Sequence, residues 1–405
     1  MKNRYIYALL AALAILSCSK QAGSRSDTPS AADELMTFKA DLGSSKSYFQ
    51  DIENPTLYWS SYDDIAVYGG YVGTLATATQ ELNQYARGLN VGDPLEKYLV
   101  GAYGTLTSSE STATRIITNR TRGDFVNAIN DEAEDDDLFI FSAIYPANRS
   151  AEKTAKNFVK FWEGEVEEEV KTIYGIPCEV ATKQIATEGI GRYHICVDHG
   201  FNLDNPDRVY GCITKKQILD GEEVVFNHFT PATSIIMFTV QSSDGEYYNL
   251  NRIRIIVEDA VALTGECYLC SQHATADILF YADEDDVCNY VDIKLNTLQV
   301  TPFENTNYVM AVVMPSYASG FPEVRATELQ AWPCNKYTDS RVVFYGYDTD
   351  DKLVLKGEKT APANGFVAGG RYRTSVTLYP ANLDTGTNGD GPGSYQDGSG
   401  TFEQL

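Results

Sequence analysis

The feature that most constrains this chain is a run of short apolar segments, each a few residues long and each cut off by turn-forming residues. In the second half these are Ser234–Val240, Ile253–Val257, Ala276–Tyr281, Asp292–Leu298, Asn307–Val313, Ser340–Tyr345 and Tyr372–Leu378. Gly, Asn, Asp and Pro separate them, as Asp244-Gly245 and Ala363-Asn364-Gly365 illustrate. Glycine and asparagine tolerate the backbone conformations of tight turns, and proline cannot donate to a sheet ladder. Short strands with regular turn signals bury one face by stacking sheet on sheet, so the pattern predicts a β-sandwich.

The first half is more mixed. Met36, Phe38, Ala40 and Leu42 alternate with Thr37, Lys39 and Asp41, which predicts a half-buried strand over Leu35–Leu42. A second extended piece is expected around Thr56–Trp59, and Asp63–Tyr68 reads as a turn leading into a strand. Leu138–Tyr145 is a near-continuous apolar strand ended by Pro146. Helix and loop compete over Thr77–Arg87. Glu152–Tyr174 places Phe158, Phe161, Trp162, Val166, Val170 and Ile173 at roughly helical spacing, and fits equally a strand followed by a charged helix. Asn119–Phe125 is polar, and the acidic run Asp131–Asp137 reads as a solvated loop, since it lacks the spaced oxygen ligands and glycine of a calcium loop. The fold class expected is therefore all-β with minor helices. The chain of 405 residues is long enough for two domains, and the change of pattern near Asp220–Phe229 divides them into 34–225 and 226–405. The second ends in a Gly/Asp/Ser-rich segment after Tyr379.

The N-terminus carries an address. Lys2 and Arg4 precede an apolar run from Tyr5 to Leu16 that is too short to span a bilayer, and Ser17-Cys18 follows it. A charged start, a short apolar stretch and a small residue before the cut make an export signal over 1–17. Ile15-Leu16-Ser17-Cys18 resembles the bacterial lipobox, which implies that Cys18 is lipidated and becomes the first mature residue. An ordinary secretory signal with an incidental cysteine is the plainer alternative. Ser19–Asp33 is polar and aperiodic, so 18–33 reads as a lipidated flexible tether.

The formal charge is −24, and loss of Lys2 and Arg4 with the leader takes it to −26. Such a chain repels phosphate backbones, which argues against nucleic acid as a partner. Tyrosine is the aromatic in excess, 27 against 17 Phe and 3 Trp, and suits half-buried strands with the hydroxyl in water. Beyond Cys18 stand Cys178, Cys196, Cys212, Cys267, Cys270, Cys288 and Cys334. An odd remainder leaves at least one thiol unpaired within the chain, and no connectivity follows from the sequence.

Motifs of catalysis are missing. There is no Gly-x-Ser-x-Gly elbow and no His-Glu-x-x-His, and Gly189-Ile190-Gly191 lacks the third glycine of a dinucleotide loop. Cys267-x-x-Cys270-x-x-His273 and His194-x-Cys196-x-x-His199 have the local look of metal ligation. Strand residues of alternating burial, or a disulfide through Cys267 or Cys270, account for them more simply. His228 lies between Phe226 and Phe229 and reads as a packed histidine. No catalytic residue, cofactor or metal site is therefore assigned, and the chain reads as a non-enzyme.

Several stretches in order resemble the fimbrillin superfamily, the Bacteroidales type V pilus and adhesin lipoproteins. After Cys18 come Met36-Thr37-Phe38-Lys39-Ala40, then Leu57-Tyr58-Trp59 and Asp63-Asp64-Ile65-Ala66-Val67-Tyr68, with Asp63 where the family carries Gly. Phe141-Ser142-Ala143-Ile144-Tyr145-Pro146-Ala147 follows, then Phe226-Asn227-His228-Phe229. Gly369-Gly370-Arg371-Tyr372-Arg373-Thr374-Ser375-Val376-Thr377-Leu378 is similar to the family's closing strand. The resemblance implies two tandem transthyretin-like β-sandwich domains, no catalysis, and a place in a fimbrium or on the outer membrane among other pilus subunits. It further implies that a trypsin-like, Arg/Lys-specific protease removes the lipidated N-terminus with the first strand, and that a donor strand from another subunit fills the groove. In this chain the displaced strand is Leu35, Met36, Phe38, Ala40 and Leu42, and Lys46 is the basic residue to cut, while Lys39 within the strand is expected to be shielded. The donor segment bears Tyr395, Phe402 and Leu405. A host or bacterial surface ligand would be the adhesive partner. The rival expectation is a monomeric outer-membrane glycan-binding lipoprotein, which would also be acidic, β-rich and aromatic.

Overall fold

The computed structural model describes residues 30–41, 64–73, 100–106, 113–146, 156–160, 171–186, 190–198, 213–226, 229–272, 277–282, 284–303, 308–316, 324–325, 332–333, 337, 339–381 and 402–404. The chain runs through β1 (Leu35–Asp41), β2 (Asp64–Gly73), β3 (Val100–Leu106), β4 (Ala113–Thr121), helix α1 (Arg122–Ile129) and β5 (Leu138–Tyr145). Then come β6 (Lys156–Lys160), β7 (Lys171–Val180), β8 (Lys183–Ile185), β9 (Cys196–Asp198), β10 (Ile213–Thr214), helix α2 (Lys215–Leu219), β11 (Val224–Phe226) and β12 (Thr230–Pro231). The rest begins with β13 (Ser234–Ser242), β14 (Tyr248–Val257), β15 (Thr264–Gln272), β16 (Asp277–Ala282), β17 (Val287–Cys288) and β18 (Tyr290–Val300). It closes with β19 (Val309–Val313), β20 (Val324–Arg325), β21 (Trp332–Pro333), β22 (Arg341–Tyr347), β23 (Leu353–Thr360), β24 (Arg371–Pro380) and β25 (Glu403–Gln404). The fold is all-β with two short α-helices among the described residues.

One sheet has the order β11-β1-β4-β3-β2-β5-β9-β12, with β10 beside β5. Its inner face and α1 enclose a core that includes Met36, Phe38, Ile116, Phe125, Phe141, Val224 and Phe226. Helix α1 lies in the stretch read as polar. Thr121 caps it by accepting from the Asp124 amide at 3.1 Å. Phe125, Val126 and Ile129 then fall on one face and are buried. The acidic run at 131–137 is a loop, as expected, and its last residue turns inward: Asp137 accepts from the Tyr71 hydroxyl at 2.9 Å and from the Glu134 amide at 2.8 Å.

A second sheet has the order β19-β13-β24-β23-β22-β14-β18-β8, with β25 on β24. It surrounds a separate core that includes Ile236, Phe238, Ile255, Phe344, Phe366, Tyr372 and Phe402. The closing motif has a steric reason here. Tyr372 folds back over Gly370, where a Cβ would come 2.6 Å from the ring, and its hydroxyl accepts from the Val367 amide at 2.8 Å. Strand β23 escapes the hydrophobic pattern because Gly357 and Lys359 occupy inward positions. A Cβ at Gly357 would lie 2.7 Å from the Thr377 carbonyl, so a bare backbone is required.

A third sheet, β20-β6-β7-β15-β16-β21, draws on both halves of the chain. The helical reading of Glu152–Tyr174 gives way to strands at both ends, where Phe158 opposes Ile173 in the β6–β7 ladder. The expected pieces at Thr56–Trp59 and Thr77–Arg87 lie outside the described residues. Four described strands from before residue 226 pair with strands after it: β7 with β15, β8 with β18, β6 with β20 and β9 with β12. Gln184 strengthens the second link, donating to the Val312 carbonyl at 2.7 Å and accepting from the Val312 amide at 2.9 Å.

Candidate functional site

Strand β1 is the first strand described and lies inside its sheet. It pairs antiparallel with β4 and parallel with β11, in the register Phe38↔Ile116 and Phe38↔Val224. Since β11 is three residues long and ends the sheet among the described residues, β1 is one short strand away from that end. The alternation read from the sequence holds, with Met36, Phe38 and Ala40 essentially inaccessible and Lys39 exposed. Leu35 points outward with 48% of its surface exposed, so it does not plug the core. Leu42 lies outside the described residues.

Phe38 is the centre of the site. Its ring meets Phe125 at 5.6 Å and Phe141 at 5.4 Å edge-on, and stacks on Phe226 at 5.7 Å. Burying Met36 and Phe38 contributes about 1.5–3 kcal/mol for each side chain. The backbone is held as well: the Thr118 hydroxyl donates to the Met36 carbonyl at 3.0 Å, and the Arg122 amide donates to the Glu34 carbonyl at 2.9 Å. Without β1, β4 and β11 would face each other across a groove floored by three phenylalanine rings. Arg122 closes one end. Its guanidinium is buried, donates to the carbonyls of Glu222 at 3.0 Å and Ile218 at 3.4 Å, and leaves Nε without a hydrogen-bond partner among the described residues.

Lys39 is flanked on both sides, opposite Arg115 in β4 and Val225 in β11. A protease needs an unpaired extended backbone, so this pairing shields the Lys39 peptide. Cys18, Lys46, Tyr395 and Leu405 lie outside the described residues. Phe402 does not. It is buried in the chain's own second core, edge-on to Phe366 with 4.9 Å between ring centres. The adjoining β25 pairs with the start of β24, and Glu403 binds Arg373 at 2.7 Å. Beyond its pairing with β25, β24 meets β23 only at Tyr379 and Pro380 on that side, so β25 occupies an edge that β23 leaves uncovered.

The histidines and cysteines sort differently. His194 is buried, its Nδ1 lies 2.9 Å from the Thr233 hydroxyl, and burial first, then the Arg371 charge, pulls its pKa down to about 4. Burial likewise pushes the Cys196 thiol up to about 12. Among the described residues no group of three His, Cys, Asp or Glu side chains is placed to hold a metal ion. His199, His228 and His273 lie outside them. Cys267 meets Cys178 instead, a partner that spacing along the chain could not reveal.

The described residues thus define a β-sheet protein whose first described strand, β1, is paired between β4 and β11 over a phenylalanine-rich core. No protein-family model matches the chain, and neither does any curated protein. Solved structures similar to it include a candidate cell adhesion protein from Bacteroides ovatus, 12% identical with a TM-score of 0.40, covering 86% of this chain and 96% of that one. Another is a candidate cell adhesion protein from Bacteroides uniformis, 11% identical with a TM-score of 0.35, covering 88% and 97%. A third is the C-terminally truncated tip fimbrial protein Mfa3 from Porphyromonas gingivalis, 8% identical with a TM-score of 0.33, covering 86% and 96%.

Proposed function

We propose that this chain is a non-enzymatic pilus or adhesin subunit of the fimbrillin type, displayed at the cell surface and assembled by strand exchange. Its two domains, 34–225 and 226–405, are transthyretin-like sandwiches. Lipid on Cys18 delivers the precursor to the outer membrane. An Arg/Lys-specific, trypsin-like protease cuts at Lys46, and β1 leaves with the lipidated segment. A strand from the C-terminal segment of another subunit, carrying Tyr395, Phe402 and Leu405, then enters the groove, which requires that Phe402 and β25 first leave that subunit's own second core. The assembled surface meets a host or bacterial ligand.

The position of β1 carries this reading. It precedes every other described strand, so one cut after it leaves it attached by non-covalent contacts alone, while β4 and β11 stay in place. Its departure would leave unpaired backbone on both walls and an apolar floor, and an incoming strand satisfies both.

Limited trypsin digestion of the folded precursor tests it. The expected result is a new N-terminus at residue 47, followed by ladders that resist dissociation in SDS. Protein that is cleanly nicked there and stays monomeric overturns the exchange mechanism.

A further inference from the structure

Cys178 in β7 and Cys267 in β15 stand directly opposite each other in an antiparallel ladder. Both side chains are 1% exposed, and their sulfurs are 3.4 Å apart. Directly opposed residues in such a pair have Cα atoms about 4.5–5.5 Å apart, inside the range that a disulfide spans. Small side-chain rotations therefore bring the sulfurs to bonding distance without moving the strands. The two residues are separated by 89 positions in the sequence, and each belongs to a different half of the chain.

We infer that Cys178 and Cys267 are an oxidation site, joined in the exported protein by a cross-strand disulfide that staples β7 to β15. The chemistry is thiol–disulfide exchange with a small-molecule or enzyme-bound disulfide. One cysteine thiolate attacks a donor sulfur, which breaks the donor S–S bond and releases one donor thiol. The second cysteine thiolate attacks the resulting mixed disulfide, forms the Cys178–Cys267 bond and releases the second donor thiol. The cysteines lose two electrons and two protons, and the donor gains them.

The order of events follows from burial. In the closed sheet, burial first and then the hydrogen bond with Cys178 hold the Cys267 thiol well above its ordinary pKa. The thiolate is the nucleophile, so exchange belongs to folding, before the ladder closes. Once made, the bond bypasses the chain between the two cysteines. A load between the chain ends then passes through the staple, and the bypassed stretch stays folded under tension.

Refolding the full chain in mixed oxidised and reduced glutathione, followed by acid quench, alkylation and peptide mapping, tests the assignment. The expected product is a Cys178–Cys267 linked peptide that disappears on reduction, with a melting temperature several degrees lower after reduction. The Cys178→Ala/Cys267→Ala double variant should lose that redox-dependent shift. If this variant fails to fold, the map of the wild-type chain decides alone. Folded protein in which both cysteines are separately alkylated, or linked elsewhere, overturns the inference. A linked peptide without any change in melting temperature overturns the staple.

Discussion

Phe38 stacks on Phe226 at 5.7 Å, across the parallel pairing of the first described strand with a three-residue strand far along the chain. The contact ties β1 to the short segment that covers it, so weakening one loosens the other.

Phe38→Ala removes a fully buried ring and three aromatic contacts. The expected loss is about 3–5 kcal/mol, measured by urea unfolding. Because the cavity opens under β1, trypsin should also reach Lys39 in this variant while sparing it in the wild type. Equal protection in both would show that β4 and β11 hold the strand by backbone pairing alone.

Acid should act through His194. Its folded pKa, about 4, lies below the ordinary 6.5, so the unfolded chain binds the proton more readily between these values. Its contribution is complete above pH 6.5 and is lost as pH falls towards 4, with a ceiling of about 3 kcal/mol. His194→Asn should flatten the pH dependence of the melting temperature in that window. A slope unchanged by the substitution would assign the acid sensitivity to other groups.

Asp292 is a third test. It accepts from Arg252 at 2.9 Å and from Arg254 at 2.8 and 2.6 Å, while Arg252 lies over the Tyr347 ring. Burial alone would raise its pKa, but the hydrogen bonds from Arg254 and Arg252 outweigh that and hold it below the ordinary carboxylate range. Its stabilisation is therefore present above that range and lost as pH falls through the folded value. Asp292→Asn should cost about 1.5–3 kcal/mol in chemical denaturation at neutral pH, with less loss in acid.

Phe402→Ala should destabilise the second core by about 3 kcal/mol, the low end for phenylalanine, because the ring sits at its margin with 6% exposed. The same change should free β25 from β24, read as faster amide exchange at Tyr372 and Arg373. Unaltered exchange there would mean that the Arg373–Glu403 ion pair and the ladder hold β25 without the ring.

Much of the architecture was legible because strand periodicity is a local signal. The alternation at Met36, Phe38 and Ala40 specified an inward and an outward face, and Leu138–Tyr145 matches β5 residue for residue. Where the inward position needed bare backbone, as at Gly357, or a buried polar group, as at Lys359, the pattern failed and β23 went unread. Helix α1 was missed for a related reason: its face is short and its N-cap lies inside a polar run.

By itself, the sequence determined that the chain is built of short, punctuated strands and that its first alternating segment has one face made for a core. Those properties depend on residue type and a spacing of two, so no partner is needed to read them. The tertiary structure alone decided which strands flank β1, that Phe402 sits in the chain's own core, and that Cys267 faces Cys178 rather than its sequence neighbours. These are contacts between residues far apart in the chain. A ladder's partner and register follow from how whole sheets close over two cores, and no local pattern carries that information.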